Sequence, residues 1–231
     1  MGTLTGIVIP ARDEAGTVER VVRAALAAVP DAHVVVVDDA SRDSTAARAR
    51  HAGAEVITLT HHQGYAQALR IGYRATLAAG ATRLAQMDAD GQHEASDLVA
   101  LLSALDTFDV VVGSRFLGPG YAMPLSRRTG IAACRWMTRA IGGLAVTDPT
   151  SGFRAVRRPV AAAIAADGFP DGLTESSFLI RLHRSGHAIG EIPVRMHPPG
   201  PTSMHDGLAG VLHFARISRA AISLALFRTP R

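Results

Sequence analysis

The sequence predicts an α/β fold in which a doubly wound, mostly parallel sheet is flanked by helices. Continuous apolar runs such as residues 33–37 are typical of strands that are buried on both faces of a parallel sheet. Helical patterns alternate with these runs at spacings that suit right-handed crossovers. Polar groups follow several runs, and ligands bind beyond the carboxyl ends of strands in such sheets. The sequence therefore predicts a ligand site at that edge.

The first half of the chain supplies five predicted strands. A β-rich run at residues 4–9 is closed by Pro10, which cannot continue a central strand. An amphipathic helix follows over residues 13–29, with its valines and leucine on one face. Residues 33–37 form the second strand, and the serines between 41 and 44 cap the next helix. The remaining elements are strands at 55–59, before Asp88 and at 109–113, and helices at 64–79 and from 95.

The second half is less regular. We expect a turn-rich segment at residues 148–154, an edge strand at 188–194 and an extended, proline-rich loop at 197–203. Helices are expected from about 128 to 141, over 174–185 and in an amphipathic tail at 208–227.

Composition bounds the class of protein. The chain has 231 residues, of which 48% are hydrophobic and 19% charged, as expected for one globular domain. Every basic residue is an arginine, and the net charge of +4 permits attraction to phosphates or an anionic membrane surface. Nucleic acid is not indicated, because the arginines are scattered and few aromatic residues accompany them. The single cysteine, Cys134, excludes a disulfide framework, and we expect a cytoplasmic protein.

Two carboxylates define the candidate metal site. Asp88 and Asp90 follow a short strand. Two side chains separated by one residue on an extended segment project to the same side. With Gln92 nearby, such oxygen ligands suit a hard cation, Mg²⁺ or Mn²⁺, that holds a diphosphate. The alternative is a solvated acidic turn.

Other polar groups are expected at the same edge. Asp38 and Asp39 follow the second strand, and Ser114 and Arg115 follow the fifth. Neither a G-x-G-x-x-G after the first strand nor a G-x-x-x-x-G-K-[ST] motif occurs, so a dinucleotide fold and a P-loop are not indicated. The pattern predicts a nucleotide-type site of another kind.

Eight segments together resemble the inverting, family 2 nucleotide-sugar glycosyltransferases with a GT-A fold. Within that family the chain is similar to the dolichyl- or polyprenyl-phosphate sugar synthases and related bacterial cell-envelope transferases. The resemblance implies one catalytic domain over residues 1–231, with a nucleotide-sugar half at 1–115, an acceptor half at 116–205 and a C-terminal helix at 206–231. The segments are IPARDEAGTV, VVVVDDASRDST, HHQGYAQALRIGY, QMDADGQHE, VVGSRF, LSRR, DPTSGFRA and GEIPVRM.

The resemblance also implies roles for individual residues. Asp90 and Gln92 would hold the divalent cation together with Asp88, and arginine suits the phosphates because it binds their oxygens in bidentate fashion. The nucleotide sugar would contact Pro10, Ala11, Arg12, Glu14, Asp39, Asp88 and Arg115, and an acceptor phosphate would contact Arg128 and Arg154. Asp39 and Glu175 have alternative readings as a helix cap and a first-turn acid, and Arg128 as a solvated helix start.

The acceptor decides whether a base is needed. A sugar hydroxyl requires a general base. The resemblance implies that Glu175, at the start of the late helix, is the first candidate, with Asp148 the second and Asp171 the third. A polyprenyl phosphate is already an anion and requires none.

Two segments depart from the family pattern. His62 stands where asparagine is frequent, and prolines at 198–199 stand where the family normally has an arginine, for which Arg195 or His205 would have to compensate. The 206–231 tail could contact the membrane interface, cover the sheet edge or form a dimer, so a homo-oligomer stays open.

We therefore expect a hexose to be moved from a UDP- or GDP-sugar to polyprenyl phosphate, on the inner face of the membrane. Transfer to a hydroxyl of a soluble sugar or natural product is the alternative, and a non-catalytic nucleotide-sugar-binding partner is the third reading. A nucleotidyltransferase would want a basic, glycine-rich loop after the first strand, which residues 10–14 do not provide.

Overall fold

The computed structural model describes residues 4–118, 125–166 and 175–197, with the backbone alone for 125–129 and 175. Within these ranges, seven strands form one sheet in the order β3-β2-β1-β4-β6-β5-β7. All neighbouring strands are parallel except β6, which is antiparallel to both β4 and β5. The predicted α/β fold with a mostly parallel sheet is confirmed.

The strands are β1 Thr5–Ala11, β2 His33–Asp38, β3 Glu55–Thr58, β4 Arg83–Gln86, β5 Val110–Ser114, β6 Arg154–Arg157 and β7 Ile189–Pro193. The helices are α1 Val18–Ala28, α2 Thr45–His51, α3 Tyr65–Ala78, α4 Asp97–Ala104, α5 Leu125–Gly142, α6 Arg158–Ala165 and α7 Glu175–Arg184. The last strand lies at the sheet edge, as predicted.

The first strand and the first helix differ from the prediction. The first strand continues through Pro10 to Ala11 instead of closing at the proline. The first helix begins at Val18, later than predicted, because the amides of Thr17 and Val18 close a turn on the carbonyl of Glu14. A loop thus separates β1 from α1, and it carries Arg12 and Glu14 to the edge of the sheet.

Sequence analysis missed β6 and α6. Residues 154–157 read Arg-Ala-Val-Arg, which is too short and too charged to show strand periodicity. The segment becomes a strand because Ala155 and Val156 are buried between β4 and β5. Because β6 runs antiparallel between β4 and β5, the turn-rich segment 148–153 before it lies at the same edge of the sheet as Asp88 and Asp90.

The core consists of apolar layers on the two faces of the sheet. On one face, Gly72 of α3 lies against Val8 of β1, where an added Cβ would be only 2.2 Å from Val8 Cγ1. Helix α3 therefore approaches the sheet closely, which places Tyr65, at its first turn, near the loops beyond the strands.

None of the helices in the described ranges is both long and apolar enough to cross a membrane. Several predictions lie outside the described residues: the 206–231 helix, the loop from 198, Asp171, His205 and the side chains of Arg128 and Glu175.

Candidate active site

The ends of β1 and β2 are joined by hydrogen bonds between their following loops. The amide of Asp39 donates to the carbonyl of Ala11 at 2.9 Å, and the amide of Arg42 donates to Asp13 Oδ1 at 2.7 Å. Asp13 has a φ of 55°, in the left-handed region. The two loops are therefore one connected structure, with Pro10 and Ala11 buried beneath it.

Asp39 holds the loop that precedes α3. Its side chain is buried, and its Oδ1 accepts the amide of Gln63 at 2.7 Å. Its Oδ2 accepts the amide of Gly64 at 2.8 Å and lies 2.7 Å from Nδ1 of His62. Because a carboxylate only accepts, His62 carries its proton on Nδ1. Asp39 is thus not a helix cap. Asp38 accepts the amide of Ser41, which lies before α2, and the N-cap residue Ser44 makes no side-chain capping hydrogen bond, so the predicted serine cap is wrong.

The Glu14 carboxyl lies near several other carboxylates. Burial raises the pKa of its carboxyl, and the charges of Asp90, Asp43 and Asp88 raise it further, against a lowering hydrogen bond from Thr17. Carboxylates that repel each other in this way lie close in space. Residues from the loops after β1 and β4 therefore share one acidic edge.

The Asp88–Gln92 segment is a turn, not an extension of the strand. Since β4 ends at Gln86, alternation along a strand does not place Asp88 and Asp90 on one side, and that part of the prediction was wrong. Asp90 accepts the Gln92 amide on Oδ1 at 2.9 Å and the Gln92 side-chain nitrogen on Oδ2 at 2.7 Å. Tyr65 donates to Asp88 Oδ1 at 3.0 Å.

The donor set fits a hard cation. No group of three or more His, Cys, Asp or Glu side chains suited to a metal is found in the described part of the chain. Mg²⁺ usually needs fewer, since it is held by one or two carboxylates, waters and substrate phosphates. Burial is the largest cause of the raised Glu14 pKa, and repulsion from Asp90, Asp43 and Asp88 adds to it. A divalent ion beside Asp88 and Asp90 would relieve that repulsion. Asp88, Asp90 and Gln92 are the residues that would hold it.

Sequence analysis missed His93 and Phe153. Their rings stack with centroids 4.7 Å apart and planes within 9°. The amide of Asp88 donates to His93 Nδ1 at 3.3 Å, so the ring holds the backbone of the loop that carries Asp88 and Asp90. Burial lowers the pKa of His93 to about 4, and the imidazole is therefore neutral near pH 7. Only the close sequence position of His93 to Gln92 could have indicated it.

A buried polar chain connects α3 with the same loop. Tyr73 donates to Gln86 Oε1 at 2.6 Å, and Gln86 donates to the carbonyl of Gly152 at 2.9 Å. An added Cβ at Gly152 would lie 2.8 Å from Asp88 Oδ2 and 2.9 Å from the Tyr65 hydroxyl. The 148–153 segment thus packs directly on the Asp88 side chain, and a larger residue at 152 would displace the Asp88 carboxylate or the Tyr65 hydroxyl.

A buried ion pair joins the end of β5 to the turn before β6. Arg115 donates through Nε and Nη2 to the two oxygens of Asp148, at 2.6 and 3.1 Å. Asp148 is fully buried, and its amide donates to Glu191 Oε1 at 2.9 Å. The Thr147 amide donates to the other Glu191 oxygen at 2.6 Å. Glu191, which sequence analysis did not assign, therefore fixes the segment that orients Arg115.

Arg154, which the sequence motifs assigned to an acceptor phosphate, lies deeper in the protein. Arg154 is 3% exposed, donates to the carbonyl of Pro149 at 3.2 Å and has its guanidinium carbon 5.4 Å from the Phe178 ring centroid. It supports the turn that carries Asp148.

The segment after β7 packs against residues 92 and 93, which follow the Asp88–Asp90 turn. Met196 bridges to His93, and the amide of His197 donates to the carbonyl of Gln92 at 2.7 Å. Arg195, considered above as a replacement for the missing arginine, donates to Ser96 Oγ at 2.9 Å and pairs with Asp97. It therefore interacts with the start of α4.

Comparison with known proteins agrees with this architecture. Residues 6–164 match the family described as Glycosyl transferase family 2. An undecaprenyl-phosphate mannosyltransferase of Micrococcus luteus is 36% identical over 200 residues, covering 79% of this chain and 80% of the relative. A polyprenol monophosphomannose synthase of Mycolicibacterium smegmatis is 32% identical over 68% of this chain and 62% of its own length.

Solved structures share the fold. Glucosyl-3-phosphoglycerate synthase of Mycobacterium tuberculosis, crystallised with Mn²⁺, UDP and phosphoglyceric acid, superposes with a TM-score of 0.73. The alignment covers 99% of this chain and 80% of that one, at 21% identity. The GT-A fold expected from the sequence motifs is confirmed. By its family match, its relatives and its fold, the chain belongs to glycosyltransferase family 2.

Proposed function

We propose that the protein transfers a hexose from a nucleotide diphospho-sugar to a polyprenyl phosphate, with inversion at the anomeric carbon. The observation that carries the proposal is the arrangement of Asp39, Asp88 and Asp90 in the loops that follow β2 and β4, at one edge of a family 2 sheet. The names of the two relatives support a polyprenyl phosphate acceptor and make mannose the first sugar to test.

The donor would lie across the loops after β1, β2 and β4. Asp39 shapes the His62–Gly64 loop on one side, while Arg12 and Glu14 contribute from the other. Asp88, Asp90 and Gln92 would hold Mg²⁺ or Mn²⁺, which neutralises the charge that develops on the departing nucleoside diphosphate. His93 keeps the loop in place through the amide of Asp88.

The acceptor chemistry follows from the ion pair. A phosphate oxygen of the acceptor attacks C1 of the sugar, the C1–O bond to the diphosphate breaks, and no proton has to be removed. Asp148 then serves as a positioning residue for Arg115, which suits its complete burial better than the role of base. Arg115 would face the phosphates, with Arg128 as its proposed companion and Arg154 as support for the turn.

Transfer of labelled sugar tests the proposal. GDP-mannose, UDP-glucose and UDP-N-acetylglucosamine are each incubated with a short polyprenyl phosphate or the matching polyprenol, with Mn²⁺ or with EDTA. We expect product with one donor, with the phosphate acceptor only and with Mn²⁺ only. Product with the polyprenol instead would favour a hydroxyl acceptor and return Glu175 to the role of base.

Donor binding is measured separately. A ligand that binds the native state raises the melting temperature, so UDP and GDP are compared with and without Mn²⁺. Asp90→Asn should abolish the Mn²⁺-dependent shift, while Asp31→Asn, at an exposed position after α1, should retain it. Absence of any shift in the unmodified protein would contradict the proposed donor site.

A further inference from the structure

His62 combines an exposed imidazole with a fixed proton. Its side chain is 52% exposed, whereas that of Asp39, which it contacts, is 6% exposed. The Nδ1 proton is held on Asp39 Oδ2 at 2.7 Å, so the neutral ring carries its free lone pair on Nε2. Nε2 makes no hydrogen bond to the part of the chain that the structure describes. The loop before α3 therefore presents one oriented hydrogen-bond acceptor to solvent.

The Asp39 carboxylate is itself occupied by the loop. Its oxygens accept the amides of Gln63 and Gly64 as well as the proton of His62, and the side chain is buried. A ligand therefore meets the imidazole before it meets the carboxylate. An asparagine at position 62 could also donate to Asp39, but it has no ring nitrogen beyond that bond. The exposed acceptor is thus a property of histidine at this position.

The loop that carries His62 connects two parts of the proposed donor site. His62 contacts Asp39 after β2, and the nearby Tyr65, at the start of α3, donates to Asp88 Oδ1 at 3.0 Å. If the proposed function holds, the diphosphate lies with the cation at Asp88, and the nucleoside extends from there towards the loops after β1 and β2. The imidazole of His62 is then a neighbour of the base.

We propose that Nε2 of His62 accepts the ring N–H of the donor's base and thereby selects uracil or guanine. Uracil carries a proton on N3 and guanine on N1, whereas cytosine N3 and adenine N1 are themselves acceptors. Two facing lone pairs repel, so the nitrogen that binds UDP or GDP disfavours CDP and ADP. This role rests on the proposed function, because it concerns the base of that donor.

Methylated nucleotides test this contact, because the methyl group removes the ring N–H. Calorimetric titration measures the affinities of UDP, 3-methyl-UDP, GDP and 1-methyl-GDP with Mn²⁺, at about pH 8, where an imidazole is ordinarily neutral. Methylation of the preferred nucleotide should weaken binding roughly tenfold or more in the unmodified protein, but less than about threefold in His62→Ala. An equal loss in both proteins, or no loss in the unmodified protein, would overturn the assignment of the base to His62.

Two further variants separate recognition of the base from folding of the loop. His61→Ala removes the neighbouring exposed histidine and should retain the full effect of methylation. His62→Asn can still donate to Asp39 but lacks the outer ring nitrogen, so it should lose that effect while the amides of Gln63 and Gly64 stay protected from hydrogen exchange. A full methylation effect in His62→Asn would overturn the proposal. Failure of every nucleotide to bind the unmodified protein would contradict the donor site itself, whereas binding without a methylation effect contradicts the role of His62 alone.

Discussion

Arg115 and Asp148 form a two-pronged ion pair, with distances of 2.6 and 3.1 Å, between the end of β5 and the turn before β6. The pair lies inside the protein, since the Arg115 side chain is 13% exposed and that of Asp148 is fully buried. Glu191 on β7 holds the backbone of Thr147 and Asp148 in turn. Three separate segments thus determine where one guanidinium points.

Asp148→Asn should destabilise the protein by about 3 kcal/mol, because it leaves the charge of Arg115 without its buried partner. Unfolding in urea measures this loss. The exposed pair between Arg83 and Asp106 provides the control, and Asp106→Asn should cost less than about 1 kcal/mol. The pH profile of kcat/KM separates two roles for Asp148. If Asp148 positions Arg115, the decrease in kcat/KM at low pH persists in Asp148→Asn. Loss of that decrease would instead identify Asp148 as a base.

Asp39→Asn should loosen the loop before α3. An asparagine side chain has one acceptor oxygen, so it cannot accept from His62, Gln63 and Gly64 as the carboxylate does. We expect a loss of about 1–3 kcal/mol and weaker nucleotide binding. Hydrogen exchange at the amides of Gln63 and Gly64 should become faster.

Asp38→Asn is the matched control for Asp39→Asn, because Asp38 accepts from the amide of Ser41 and not from the loop before α3. In Asp38→Asn, the amides of Gln63 and Gly64 should exchange at the same rate as in the unmodified protein. Equal acceleration in both variants would contradict the assignment of the loop to Asp39.

Gly91→Ala should affect metal binding more than stability. Gly91 has a φ of 74°, and an added Cβ would lie 2.3 Å from Nη2 of Arg20, a flexible side chain that can move away. Gly80 has a φ of 97° with nothing within 4 Å of its added Cβ, so Gly80→Ala experiences the backbone strain alone. Both substitutions should cost about 1–2 kcal/mol in urea unfolding.

The difference between these glycine variants should appear with Mn²⁺. The rise in melting temperature with nucleotide and Mn²⁺ should shrink in Gly91→Ala only, since the backbone strain then lies within the turn that carries Asp90 and Gln92. A similar decrease in Gly80→Ala would show that the effect reflects general loss of stability.

Acid should destabilise the protein through His93. Its folded pKa of about 4 lies below the ordinary value of 6.5, so the unfolded state binds the additional proton between these values. The resulting stability is complete above pH 6.5 and is lost as the pH falls towards 4, by up to roughly 3 kcal/mol. Urea unfolding at pH 7.5, 6 and 5, in EDTA, measures it. His93→Gln should flatten this dependence, and an unchanged slope would assign it to other groups.

Local sequence patterns determined the larger part of the fold and of the acidic edge formed by the loops after β1 and β4. Valine-rich runs at β2 and β5 need burial on both faces, and the acids that follow β2 and β4 are polar groups placed where strands end. These features depend on near neighbours in the chain, so periodicity and motifs suffice to predict them.

Only the tertiary structure decided how the segments around Arg115 and His93 are built. Arg115 and Asp148 are 33 residues apart, and the stacked rings of His93 and Phe153 are farther still, so no local pattern announces either contact. The strand β6 exists because the sheet surrounds a segment whose own sequence does not favour one. Long-range packing overrides weak local preference, and this is the physical reason why the sequence alone could not supply these features.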